Sequence, residues 1–66
     1  MMILVEDTPG GLAINPLDVA TVRVEQICGD TWLHILMKSG ASYSRFHSPD
    51  HGIDAHAIYK QILEAQ

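Results

Sequence analysis

The chain has 66 residues, enough for one hydrophobic core and no second. A domain of that size buries only about 60% of the surface its unfolded chain exposes, so it needs a further support such as a metal or a partner subunit. Its single cysteine, Cys28, excludes an intrachain disulfide and fits a reducing, cytoplasmic setting. Eight acidic residues against four basic ones give a net charge of −4. The scattered cations Arg23, Lys38, Arg45 and Lys60 argue against a surface built for a phosphate backbone.

At 47% hydrophobic and 18% charged, the composition is that of a folded chain. Met1-Met2-Ile3-Leu4-Val5 is too short for a signal-peptide core and runs directly into Glu6-Asp7. No run approaches the roughly 20 apolar residues of a membrane span. The expectation is a single domain over residues 1–66 that has no membrane association.

In chain order, residues 2–6 read as a first strand. Asp7-Thr8-Pro9-Gly10-Gly11 is a turn, because Pro presets one dihedral and Gly tolerates positive φ. Leu12-Ala13-Ile14 is a short strand that either returns on the first or swaps to another subunit. Asn15-Pro16-Leu17-Asp18 is one tight turn. From Val19 to Ile27 polar and apolar residues alternate, with Ala20, Val22 and Val24 on one face and Thr21, Arg23 and Glu25 on the other. Cys28-Gly29-Asp30-Thr31 is the next turn, followed by a strand from Trp32 to Lys38. Leu33, Ile35 and Met37 point one way; Trp32, His34 and Leu36 point the other. Ser39-Gly40 reads as a two-residue hairpin turn leading into a last strand from Ala41 to His47.

Ser48-Pro49-Asp50-His51-Gly52 ends the strands. Asp54 is placed to cap a helix, and Ile53 and Ile58 are spaced for a hydrophobic staple. Ala55, Ile58, Tyr59, Ile62 and Leu63 form one apolar stripe. The fold class is therefore α+β: a small antiparallel meander of three to five strands with one C-terminal helix packed on one face.

Function is sought first on the sheet face away from the helix. A fully solvated face is polar throughout, whereas this one carries Trp32 and Leu36, with Tyr43 or Phe46 added according to register. Trp32, His34, Leu36, Tyr43 and Arg45 are the expected partner-binding residues, for another protein or a second copy of the chain. His47, His51 and His56, interleaved with Asp50 and Asp54, have the donor types of a metal site but not its spacing, and their plainer reading is solvated loop histidines. Cys28 has no base or cation beside it in sequence to activate it. Gly10-Gly11 is not followed by a Gly-Lys-Ser/Thr phosphate loop, and no carboxylate pair suits acid–base work. The expectation is a non-enzymatic chain with no cofactor.

The run Ile14-Asn15-Pro16-Leu17-Asp18-Val19-Ala20-Thr21-Val22, followed by a strand, Ser39-Gly40, a strand and a terminal helix, resembles the FlbD-like flagellar and phage accessory proteins. That resemblance implies a small accessory protein of a regulatory or mobile-element kind. Met2-Ile3-Leu4 at the start and Ile58-Tyr59-Lys60-Gln61-Ile62 in the helix resemble the carbon storage regulator family, whose members are RNA-binding dimers of interlocked strands. This chain has Val5-Glu6 where that family places an arginine.

Together these readings give a protein-interaction module of phage or mobile-element type that modulates a host protein, expected as a homo-oligomer. One alternative is a dimeric RNA- or DNA-binding regulator, which requires Arg23, Lys38 and Arg45 to meet on one surface. The other is a small metal-binding protein using His47, His51 and His56.

Overall fold

The computed structural model describes residues 2–6 and 10–66. Two strands, β1 (Ile3–Leu4) and β2 (Ala13–Ile14), form a small hairpin with Ile3 opposite Ile14. Beyond β1, the Val5 and Glu6 N–H groups both donate to the Leu12 carbonyl, at 2.7 and 3.1 Å. Residues 12–14 therefore return on the first strand of their own chain. Asp7, Thr8 and Pro9, the first part of the expected turn, lie outside the described residues.

Asn15 then accepts the Leu17 N–H at 3.1 Å, which fixes a single 3₁₀ turn, Pro16–Asp18. Proline suits its first position because the N–H it lacks would have no partner there.

Three strands make the main antiparallel sheet in the order β3 (Val19–Ile27), β4 (Asp30–Met37), β5 (Ser42–Phe46). Cys28-Gly29 joins the first two as a two-residue turn, with Ile27 paired to Asp30. Both turn residues have positive φ, 52° and 84°, the mirror-image turn whose twist matches the flanking strands. Asp30 and Thr31 accordingly belong to β4 and not to the turn.

The second connection departs from expectation. Met37 donates to the Ala41 carbonyl at 2.8 Å and Gly40 donates back to Met37 at 3.0 Å, so the loop is Lys38-Ser39-Gly40. Gly40 supplies the left-handed residue at φ 98° that closes a three-residue connection.

A bulge lies between Val19 and Thr21. It inserts Ala20 as an unpaired residue and reverses the phase of the strand. Val19 is buried, Ala20 is exposed, and Val22 and Val24 regain the inward face. The expected inward position of Ala20 is corrected by this one extra residue.

Ser48 and Ile53 exchange backbone bonds at 2.9 and 3.0 Å around a second 3₁₀ turn, Pro49–His51. The helix α1 (Ala55–Ala65) follows, and the Asp54 carboxylate accepts the Ala57 N–H at 3.1 Å as its cap. Ala55, Ile58 and Ile62 are buried against the sheet. Tyr59 is half-buried, whereas Leu63 is 48% exposed. At about 100° per residue, Leu63 stands on the flank of the stripe and not at its centre.

The core lies on one side of the sheet. Leu33 and Ile35 from β4 meet α1 and the β1–β2 hairpin, which supplies Ile3, Val5 and Ile14. The solvent-accessible surface is 4216 Å², and a compact folded chain of this mass exposes about 4,200 Å². Among the described residues, no helix is long and apolar enough to cross a membrane.

Candidate protein-docking face

The register assigns every strand residue to a face. Opposite Leu33 and Ile35 stand Arg45 and Tyr43 of β5, and Val24 and Val22 of β3. These share the helix side. The outer side carries Trp32, His34 and Leu36 of β4, with Phe46, Ser44 and Ser42 opposite them on β5. Arg23, Glu25 and Ile27 continue it on β3.

The five residues expected to form one surface are therefore divided. Trp32, His34 and Leu36 lie on the outer face. Tyr43 packs against the core, and the Arg45 Nε donates to Glu6 at 3.1 Å on the helix side. The cause is loop length. A two-residue turn at Ser39-Gly40 would set Leu36 against Tyr43, but the three-residue loop slips the register by one and turns every β5 side chain over. Phe46 takes the outer position in their place. Its signal in the sequence was its odd–even relation to Tyr43, which only the loop length could resolve.

On the outer face Trp32 and Phe46 meet edge to face, with ring centroids 5.4 Å apart and planes at 78°. Phe46 is 42% exposed, Leu36 41% and Ile27 46%. A polar strip crosses the sheet beside the aromatic pair. Arg23 donates to Glu25 at 2.6 Å, and this bond holds the Glu25 carboxyl below its ordinary value of 4.5. The other Glu25 oxygen is 3.4 Å from His34 Nε2, and His34 Nδ1 is 2.9 Å from the Ser44 hydroxyl.

The carboxylate favours the ring tautomer with its proton on Nε2, which leaves Nδ1 to accept from Ser44. His34 Nε2 is buried without a hydrogen-bond partner among the described residues, although the Glu25 carboxylate stands 3.4 Å away. Glu25, His34 and Ser44 stand in the order of an orienting acid, a base and a hydroxyl nucleophile. Reading along the chain missed this, because the three residues lie on three strands and meet only across the sheet.

The histidines are arranged differently from their sequence spacing. His47 and His56, not His47 and His51, come together, with ring centroids 5.4 Å apart. His47 Nδ1 accepts the Ala55 N–H at 3.0 Å, satisfying one of the free donors that open α1. That bond places the ring proton on Nε2. A metal there would need the lone pair, so binding would move the proton to Nδ1 and break the cap. Among the described residues, no three His, Cys, Asp or Glu side chains gather as a metal site.

The cations do not converge. Arg23 is on the outer face, Arg45 on the helix side, Lys38 in the hairpin loop, and Lys60 on the helix 4.0 Å from Glu64. Cys28 is exposed at the tip of its turn. No family model, curated protein or solved structure matches the chain.

Proposed function

We propose that this chain is a non-catalytic protein-interaction module whose partner protein docks on the outer face of the β3–β4–β5 sheet. The observation that carries the reading is the Trp32–Phe46 pair, flanked by Leu36 and Ile27, on a sheet face that neither α1 nor the β1–β2 hairpin covers. Aromatic residues beside aliphatic ones are the usual anchors of a binding surface, and a polar border fixes the partner's orientation. The Arg23–Glu25–His34–Ser44 strip supplies such a border, with donors and acceptors fixed by the sheet.

The same strip lies on the uncovered side of the sheet, with Arg23 62%, Glu25 36% and His34 25% exposed. Nucleophilic catalysis draws most of its power from enclosed, water-excluding donors aimed at a developing charge. A polar recognition strip is the better account of these residues. The divided cations, most of them spent on carboxylates, favour a protein partner over a nucleic acid.

The test is a pull-down from nuclease-treated lysate, quantified by mass spectrometry, with the tagged chain and two variants. Trp32→Ser/Leu36→Ser should lose the proteins held by the parent, while Leu63→Ser on the helix should retain them. Retention of the same proteins by the Trp32/Leu36 variant, with its fold intact by circular dichroism, would sink the assignment.

A further inference from the structure

We infer that two copies of this chain associate edge to edge through β3, running antiparallel about a twofold axis at Val24 and joining their sheets into one. This edge borders the outer face and shares Arg23 and Glu25 with it, but the inference does not rest on the function proposed for that face.

The starting point is the direction of the backbone groups. In an antiparallel pair, alternate residues turn their N–H and C=O toward the neighbouring strand. Met37 donates to Ala41, and His47 donates to Thr31, so the odd-numbered residues of β4 bond toward β5. Its even-numbered residues bond toward β3. Trp32, His34 and Leu36 are paired with Glu25, Arg23 and Thr21. The odd residues of β3 are therefore spent on β4, and Val22, Val24 and Gln26 present their N–H and C=O groups outward. Among the described residues, β3 pairs with β4 alone.

An unpaired edge is a template for another strand, and proteins that keep an edge free blunt it with proline, charged side chains such as lysine, a bulge or a very short strand. β3 has nine residues without proline, its bulge lies at Ala20, before the open stretch, and its two charges, Arg23 and Glu25, are of opposite sign and already paired with each other.

The pattern around Val24 says what fits. An antiparallel copy centred there sets Val24 against the partner's Val24 and Val22 against the partner's Gln26, each pair exchanging both backbone bonds. Between them, Arg23 falls opposite the partner's Glu25, and Glu25 opposite the partner's Arg23. These are the closely spaced, non-hydrogen-bonded positions, where opposite charges attract most effectively across strands.

Within one copy Arg23 and Glu25 already pair at 2.6 Å. Two copies would close them into a ring of alternating charge. The half-buried Val22 and Val24 on the helix side would be covered at the same step. The open edge of β5 carries Ser42, Ser44 and Phe46 and has no charge pattern that selects a second copy. With the axis perpendicular to the sheet, both helices lie on one side, and the two outer faces form one continuous surface.

The test is sedimentation equilibrium of the full chain over a range of concentrations, with charge variants. The parent should show a reversible monomer–dimer equilibrium. Arg23→Glu sets like charges against the partner's Glu25, and Glu25→Arg sets them against the partner's Arg23. Each should weaken the dimer by about tenfold or more while leaving the circular dichroism spectrum unchanged. Mixing the two variants makes every cross-strand charge pair opposite again, so a mixed dimer should return. Damage to the fold would not be repaired by mixing. In the parent, the Val22, Val24 and Gln26 amides should exchange more slowly with solvent than in either variant alone. A parent that stays monomeric throughout, a variant that dimerises like the parent, or folded variants that fail to combine would each overturn the inference.

Discussion

The two faces of the same three strands show how differently neighbouring residues are used. Leu33 and Ile35 of β4, at 0 and 2% exposure, lie under α1 and the β1–β2 hairpin, while Leu36 and Phe46 on the other side remain 41 and 42% exposed. The helix side is a closed core of aliphatic side chains. The outer side combines an aromatic pair with a charged and hydroxyl-bearing strip. The difference teaches that hydrophobicity alone does not mark the core of so small a domain. The residues that α1 and the β1–β2 hairpin can cover become core, and those they cannot reach stay exposed.

Truncating a side chain on each face in turn should give the largest contrast between them. Leu33→Ala leaves a cavity in the core and should destabilise the chain by about 2–5 kcal/mol. Leu36→Ala on the same strand should change stability by no more than about 0.5 kcal/mol. Urea unfolding of the two variants measures the contrast, and equal losses would show that the outer face is covered in the isolated chain. Phe46→Ala should cost about 0.5–1.5 kcal/mol through the edge-to-face contact with Trp32, in addition to the loss of its partial burial. The corresponding loss should be absent in a Trp32→Ala background, which a double-mutant cycle reads directly.

A smaller effect sharpens the view of how the faces are set. Cys28 occupies a left-handed conformation at φ 52°, which costs a residue with a Cβ atom roughly 1–2 kcal/mol and glycine almost nothing. Cys28→Gly should therefore stabilise the turn by up to about 1 kcal/mol, once the greater freedom of glycine in the unfolded chain is deducted. Thermal unfolding checks the sign.

The smallest effect is electrostatic. The hydrogen bond from Arg23 lowers the Glu25 pKa from its ordinary 4.5, so the folded state favours the carboxylate. The resulting stabilisation is fully present above that ordinary value and is lost as pH falls through the lower value of the folded state. Arg23→Ala should flatten this part of the acid unfolding curve, and high salt should mimic the substitution.

Much of the fold was legible from local chemistry. Asp54 as a cap, the Asn15-Pro16 turn and the strand boundaries at Val19 and Ile27 rest on side chains acting on their nearest backbone, and they stand where the sequence places them. The α+β architecture, with the helix over Leu33 and Ile35, follows from two apolar periodicities meeting. The candidate surface was legible only in part. Trp32, His34 and Leu36 share a strand, and their common face follows from alternation alone. Tyr43 and Arg45 depended on the loop before them, where one residue more than expected reversed their direction.

Features whose causes lie within a few residues follow from the amino-acid order alone: turns, caps, the alternation along β4 and the stripe of α1. Only the tertiary structure decided which side chains meet across strands. The Trp32–Phe46 pair, the Glu25–His34–Ser44 group and the His47 bond to Ala55 all join residues from different elements. For the two strand-borne groups the meeting depends on register, which the Cys28-Gly29 turn and the extra residue of the Lys38-Ser39-Gly40 loop set; the bulge at Ala20 only turns Val19 inward. In a structure whose side chains alternate with a period of two, one residue more or less exchanges the inside for the outside.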